Sequence, residues 1–191
     1  MSVLRRVFKK SHAIFSYFNT LDSVRPPLSM SSSMSVLVAV DSIEVRTSLV
    51  HGRGVYAVRR LPKGMSIGMY VGRRYTSEQL LKVDWHKRHG GMTCLFSLSD
   101  GITIDGAQGG NATRFLNHCC EPNCEAVEEI EADGSIHLRV VTTKIIATGS
   151  ELFIDYALII DKSETPAEYA CKCGSRACRG SMAAMPGAAP E

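Results

Sequence analysis

The chain has 191 residues, of which 45% are apolar and 21% are charged, and this composition excludes a collagen-like, coiled-coil or wholly disordered protein. No apolar run reaches the ~18–20 residues that a membrane-spanning helix needs, so no membrane association is expected. The net charge of +3 is unevenly distributed, because residues 1–40 carry five basic residues against one acidic residue while the other 17 basic and 18 acidic residues nearly balance. We therefore predict no direct nucleic-acid binding by the body of the chain.

Residues 1–40 are predicted to form a basic, serine-rich leader that is disordered. Two adjacent prolines, Pro26 and Pro27, and the serines at 31–33 are typical of a linker. Basic residues and serines with almost no acids are also typical of an organelle transit peptide, so targeting by residues 1–33 is the alternative interpretation. A secretory signal fits poorly, because the apolar run at residues 13–15 is short.

The rest of the chain reads as short strands separated by turns, with one helix. In chain order, the strands are predicted at residues 35–40, 43–46, 54–58, 66–71, 93–98, 102–104, 136–141 and 152–160. Thr76 is predicted to cap a helix over residues 77–88, with Leu80, Leu81 and Trp85 on one face. This pattern predicts a mostly β domain.

Three cysteines near the C-terminus have the spacing of metal ligands. Cys171, Cys173 and Cys178 lie within eight residues around Gly174. A tetrahedral zinc site needs four nitrogen or sulfur ligands, so a fourth must come from elsewhere, and the cysteine cluster at 119–124 can donate it. Disulfides are the rival interpretation. The odd total of seven cysteines and the lack of a convincing secretory signal favour metal binding in a reducing intracellular compartment.

Three further segments carry polar groups in unusual density. They are the glycine pair at 52–54, the Asn117-His118 block that precedes the cysteine cluster, and the segment 149–156 that ends in Asp155-Tyr156. Each segment alone also fits an ordinary turn or strand. Buried polar groups without partners cost ~1–3 kcal/mol, however, so the Asn-His pair requires specific neighbours.

The order of these segments resembles the SET-domain lysine methyltransferases. The family's Gly-x-Gly is matched at 52–54, its Tyr-x-Gly strand at 70–72, its Arg-Phe-x-Asn-His-x-Cys-x-Pro-Asn block at 114–123, its Gly-x-Glu-Leu-x-x-Asp-Tyr block at 149–156, and its post-SET cysteine tail at 171–180. The resemblance implies the β-clip (SET) fold, with several small β-sheets, a pseudoknot and few short helices. It implies a SET domain at 41–161, a post-SET zinc-binding segment at 167–183 and a flexible tail at 184–191.

The resemblance also implies S-adenosylmethionine as methyl donor, a protein lysine as acceptor and a structural Zn2+. Tyr156 would be the catalytic residue. The implied cofactor-binding residues are Gly52, Arg53, Gly54, Val55, Tyr70, Arg114, Phe115, Asn117, His118 and Tyr156. The implied zinc ligands are Cys120, Cys171, Cys173 and Cys178, with Cys124 left open as a competitor for Cys120.

The predicted substrate channel departs from the family pattern at two positions. It would be lined by Cys94, Phe96, Ile154 and Tyr156. Cys94 stands where many members have a tyrosine, and Ile154 stands where the family usually has Phe or Tyr. Both changes remove a ring, so we hypothesise a roomier acceptor pocket that tolerates di- or trimethylation.

The sequence thus predicts a protein-lysine N-methyltransferase that acts on a protein with an exposed lysine, such as a histone tail or another basic protein. Its expected location is the nucleus and chromatin in a eukaryote; otherwise it is expected to be cytoplasmic or a secreted effector. One alternative is a weak or inactive SET domain that binds a peptide or partner. Another is an unrelated zinc-stabilised β module, in which Tyr156 would lie far from Asn117 and His118.

Overall fold

A computed structural model describes residues 5–7, 42–84, 94–160 and 162–184. Within these ranges the chain forms eleven strands, one five-residue α-helix and short 3-10 helices at Ala112–Phe115 and Pro166–Tyr169. This is the mostly β architecture that the sequence predicts, with the strands divided among three small sheets.

The first sheet is antiparallel and has the strand order β1-β9-β10-β4. Its strands are β1 (Arg5–Val7), β4 (Ser66–Met69), β9 (Cys124–Ile130) and β10 (Ile136–Thr142). Ile136, Leu138 and Val140 alternate inward along β10, as the period of two in the sequence predicts. Burial of each such aliphatic side chain contributes about 1.5–3 kcal/mol relative to leaving it in water.

The second sheet has the order β2-β3-β11-β8, and the third has the order β5-β7-β6. The second consists of β2 (Ile43–Thr47), β3 (Arg53–Ala57), β8 (Asn117–His118) and β11 (Glu151–Ile154). The third consists of β5 (Arg73–Tyr75), β6 (Leu95–Ser97) and β7 (Thr103–Asp105). All their pairings are antiparallel except that of β8 with β11.

The parallel pair of β8 and β11 positions the site. Asn117 lies opposite Phe153, and His118 lies opposite Ile154. The intervening chain forms the β9–β10 hairpin of the first sheet before it returns. Two segments that are distant in sequence therefore lie side by side, as the predicted pseudoknot requires.

The predicted helix is too long. Helix α1 covers only Ser77–Leu81, with its C-cap at Lys82. The N-cap prediction is confirmed, because the Thr76 hydroxyl accepts a hydrogen bond from the Gln79 amide. No residue of α1 is buried, and Leu81 is 89% exposed, so within the described residues the helix has no buried apolar face that would stabilise further turns. Trp85 lies outside the described residues.

The strand predictions are correct in position more often than in length. The predictions at 43–46, 54–58, 66–71, 102–104 and 136–141 each overlap an observed strand. The predicted strand 152–160 is wrong beyond Ile154, where the chain turns and Ala157 adopts a φ of +40°. The prediction at 93–98 corresponds to β6, although residue 93 is outside the described residues, as are residues 35–40.

No predicted strand covers β1, β5, β8 or β9. Strand β9 contains Glu125, Glu128 and Glu129, and glutamate is uncommon in strands and rarely buried. Glu128 is nevertheless buried, because its carboxylate accepts hydrogen bonds from the amide and hydroxyl of Ser99 at 2.8 and 2.5 Å. The proposed domain boundaries stay predictions, and of residues 1–40 only 5–7 are described.

Candidate active site

Tyr156 lies against the residues that the sequence analysis places beside it. Its hydroxyl donates a hydrogen bond to the Leu116 carbonyl at 2.8 Å, and its backbone N–H donates to Nδ1 of His118 at 3.0 Å. The Tyr156 and His118 rings are 5.4 Å apart. Burial raises the pKa of Tyr156, and the neighbouring Cys94 and Glu151 add to this effect, so the phenol stays protonated at neutral pH.

The imidazole of His118 connects this tyrosine to the cysteine cluster. Because Nδ1 accepts the hydrogen bond from the Tyr156 amide, the ring proton of the neutral tautomer lies on Nε2. That nitrogen is 3.3 Å from Sγ of Cys120. The side chain therefore has a partner at each end inside the protein.

The side-chain amide of Asn117 holds the glycine loop. Its Nδ2 donates to the carbonyls of His51 and Arg53 at 3.1 and 3.0 Å, and to Oε1 of Glu151 at 2.8 Å. These contacts use both of its N–H groups, one of them shared. Asn117 thus fixes the predicted cofactor loop to β8.

The glycine loop itself, residues 51–54, is mostly exposed. Gly52 adopts a φ of +48°, a backbone conformation that residues with a side chain adopt rarely. The guanidinium groups of Arg53 and Arg114 lie over the ring of Phe115, at 3.8 and 4.5 Å from its centre. These predicted cofactor residues therefore form one surface, whereas the side chain of Val55 is buried in the core beneath it.

The predicted channel residues Phe96 and Ile154, together with Tyr70, belong to the apolar core against which Tyr156 packs. Tyr70 is buried, donates its hydroxyl hydrogen to the Cys94 carbonyl at 2.6 Å, and packs its ring 5.4 Å from that of Phe96. Burial raises the pKa of Tyr70, and nearby Cys94 and Tyr156 contribute. Ile154 is buried at the end of β11. The roles of these residues toward a substrate stay predictions.

Four cysteines converge on one point where the tail meets β8. The Sγ atoms of Cys120, Cys171, Cys173 and Cys178 all lie within 4.8 Å of one another. Tetrahedral zinc with Zn–S bonds of about 2.3 Å requires Sγ separations of about 3.8 Å. The separations from Cys120 to Cys171 and to Cys178 are 3.7 and 4.0 Å. The geometry and the thiol donor set therefore fit a structural zinc ion.

Backbone N–H groups point at these sulfur atoms. Arg179 donates to Cys120 at 3.3 Å, Cys173 to Cys171 at 3.4 Å, and Gly180 to Cys178 at 3.4 Å. Such donors stabilise thiolates, which are the form that binds metal. The competing candidate, Cys124, is fully buried in β9, where burial and the charge of Glu125 raise its pKa to about 12. Cys120 rather than Cys124 therefore completes the cluster.

Sequence reasoning missed two carboxylates and one cation at the site. Asp155 forms a bidentate ion pair with Arg179, at 2.7 and 2.9 Å, and accepts a hydrogen bond from the Ala157 amide at 3.0 Å. Glu151 receives hydrogen bonds from Ser48, Tyr56 and Asn117. All three charged residues lie inside the matched segments. No spacing rule could assign their roles, because their partners come from other parts of the chain.

Comparison with known proteins agrees with this geometry. The SET domain model matches residues 52–157. The chain is 33% identical over 140 residues to histone-lysine N-methyltransferase trithorax of Drosophila melanogaster, covering 73% of this chain and 4% of that protein. It is 30% identical over 158 residues to histone-lysine N-methyltransferase 2B of Homo sapiens, covering 82% of this chain and 6% of the relative. The chain therefore spans only a small part of these relatives.

A plant relative and a solved structure extend the comparison. Histone-lysine N-methyltransferase ASHR3 of Arabidopsis thaliana is 33% identical over 131 residues, covering 68% of this chain and 25% of that protein. The structure described as ctPRC2 in an autoinhibited conformation bound to S-adenosylmethionine superposes with a TM-score of 0.55 at 24% identity, covering 60% of this chain and 15% of the other. It shares the fold. In the described ranges, no helix has the length and apolar character needed to cross a membrane.

Proposed function

Since the chain belongs to the SET-domain family, we propose that it is an S-adenosylmethionine-dependent protein-lysine N-methyltransferase. The observation that carries the proposal is the position of Tyr156, whose hydroxyl and amide are hydrogen-bonded to Leu116 and His118 from a distant part of the chain. An unrelated zinc-stabilised module would not be expected to place the Asn117-His118 block beside Tyr156.

The residues around the glycine loop fit S-adenosylmethionine. The exposed backbone of residues 51–54, the Arg53–Phe115 surface and the backbone of Asn117 and His118 would hold it. When bound, this cofactor supplies a methyl group activated by a sulfonium. We assign no catalytic step to the zinc ion, which would fasten the tail beside the site.

The chain's own groups support transfer to a neutral amine. A free lysine has a pKa of about 10.4, and an amine that enters beside apolar residues such as Tyr70 and Phe96 would favour its neutral form, because desolvation disfavours the ammonium. The Tyr156 hydroxyl is oriented by the hydrogen bond that it donates to the Leu116 carbonyl. Because the hydroxyl is the donor in this bond, its oxygen lone pairs remain available to orient the reacting groups. Good alignment can supply several of the ~7–11 kcal/mol available from positioning.

We propose a basic protein segment, with a histone tail as the first candidate, as the lysine-bearing substrate. Two observations support this choice. The relatives are named as histone-lysine methyltransferases, and the body of the chain has no excess of positive charge that would repel a basic peptide. Activity on chromatin in the nucleus follows as part of the same proposal.

The decisive experiment follows labelled methyl transfer from S-adenosylmethionine to a panel of histones and to cell lysate. The wild-type chain should label lysine, and Tyr156→Phe should be slower by about 100-fold, because only the hydroxyl that orients the reacting groups is lost. Calorimetry with S-adenosylmethionine should show that both proteins still bind the cofactor. Cofactor binding without any labelling would instead favour the inactive binding module, a reading that Cys94 and Ile154 also permit.

A further inference from the structure

The carboxylate of Glu151 connects β11 to β3, to β8 and to the loop between β2 and β3. Glu151, the first residue of β11, accepts hydrogen bonds from the Ser48 hydroxyl at 3.0 Å and the Tyr56 hydroxyl at 2.9 Å, both at Oε2. Its other oxygen, Oε1, accepts from the Asn117 side chain at 2.8 Å. The Ser48 hydroxyl oxygen also accepts a hydrogen bond from the Val50 amide at 3.0 Å. Both ends of the loop between β2 and β3 are thus tied to Glu151, directly or through one intermediate.

The same carboxylate occupies the space beside the second glycine of the loop. A Cβ atom added to Gly54 would overlap Oε1 and Cδ of Glu151 and approach Cβ of Ser48 to 3.1 Å. A free carboxylate at the end of a flexible side chain could move away at little cost. This carboxylate could move only by giving up its hydrogen bonds to the three donors Ser48, Tyr56 and Asn117.

We infer that Glu151 is a positioning residue for the cofactor loop, and that Gly54 is a glycine because the Glu151 carboxylate occupies the space that a side chain would need. Through Asn117, whose amide also holds the His51 and Arg53 carbonyls, Glu151 fixes the backbone of residues 51–54 before any ligand arrives. This inference deepens the proposed function and rests on it for the identity of the ligand.

A double-mutant cycle tests the inference in the full chain. Calorimetry with S-adenosylmethionine would compare wild type, Gly54→Ala, Glu151→Ala and the double variant. We expect Gly54→Ala to weaken binding at least tenfold in the wild-type background and less than threefold beside Glu151→Ala, where the carboxylate is gone. If the glycine exists to admit the cofactor, the alanine should cost the same factor in both backgrounds, and the inference would be overturned.

Hydrogen exchange without cofactor gives a second readout that does not depend on the proposed function. Glu151→Gln, which keeps the side-chain volume but replaces one acceptor oxygen with a donor, should raise amide exchange at residues 51–54 at least tenfold. The matched control is Glu131→Gln, an exposed carboxylate in the β9–β10 turn, which should leave the loop unchanged. Unchanged exchange in Glu151→Gln would contradict the inference.

The two readouts separate the possible failures. If the wild-type chain bound no S-adenosylmethionine while Glu151→Gln loosened the loop, the proposed function would fail and the positioning role would survive. If the wild type bound the cofactor and both Glu151→Gln and Glu151→Ala bound it as tightly, the positioning role would be wrong and the proposed function would stand.

Discussion

At the scale of single residues, Ile154 and Cys94 give the site its individual character. Both are buried, and Cys94 lies near enough to Tyr156 and Tyr70 to contribute to the raised pKa of each. The resemblance to the SET family implies rings at these two positions, where this chain carries smaller side chains. The volume beside the acceptor nitrogen should therefore be larger.

We predict that the wild-type chain adds two or three methyl groups to a good peptide substrate. Ile154→Tyr should shift the product toward monomethyl-lysine, because the added ring would occupy space that a methylated amine needs in order to rotate. Intact-mass analysis of the peptide during the reaction measures this distribution. Only monomethyl product from the wild type, at long times and with excess cofactor, would refute the larger pocket.

The site residues differ in how far they could be predicted from sequence. Tyr156, Asn117 and His118 could be named because they belong to motifs whose residue types are themselves unusual. Glu151 and Asp155 could not be assigned a role, because a carboxylate at a strand end is ordinary until its donors are known. Those donors are Ser48, Tyr56 and Asn117 for Glu151 and Arg179 for Asp155, and only the folded chain brings them together.

At the scale of secondary structure, the alternating strands were predictable and the polar strands were not. β10 shows a period of two in its apolar residues, which locates it directly. β9 contains three glutamates and β8 only two polar residues, and their strand conformation depends on tertiary neighbours such as Ser99 and β11. Helix α1 shows the opposite case, in which a good local cap is not followed by a buried face.

The cysteine tail predicts a metal content that can be measured. We expect one zinc ion per chain by native mass spectrometry, since four Sγ atoms lie within tetrahedral range. Cys120→Ser should lose the ion or release it to a chelator at least tenfold faster. The matched control is Cys124→Ser, which changes a buried thiol in β9 and should keep the zinc. Equal loss in the two variants would contradict the ligand assignment.

At the scale of the whole molecule, the post-SET segment contacts the chain that follows β11 at more places than the cysteine cluster. Arg179 forms an ion pair with Asp155, the residue before Tyr156. Leu158 forms a β-bridge with Ala183, and its amide donates a hydrogen bond to the Met182 carbonyl at 3.0 Å. The zinc cluster also takes Cys120 from the chain just after β8. The tail therefore covers the segment that carries the candidate catalytic tyrosine.

Breaking the Arg179–Asp155 pair should separate transfer from cofactor binding. We predict that Arg179→Met lowers the methylation rate at least tenfold while S-adenosylmethionine affinity changes less than threefold, because the glycine loop is held by other contacts. Limited proteolysis should cut the tail faster in this variant. Arg176→Met, at an exposed tail position, is the control and should behave as wild type. A wild-type rate in Arg179→Met would show that the pair does not support Tyr156.

The parallel neighbours β8 and β11 also constrain how the protein is made. During synthesis, residues 117–118 emerge well before 153–154, while the β9–β10 hairpin between them can pair at once. Closing so large a loop has an entropic cost that local pairing does not, so it comes late. Until residues 153–154 have left the ribosome, the nascent chain therefore has only a partly formed first sheet and an incomplete catalytic centre.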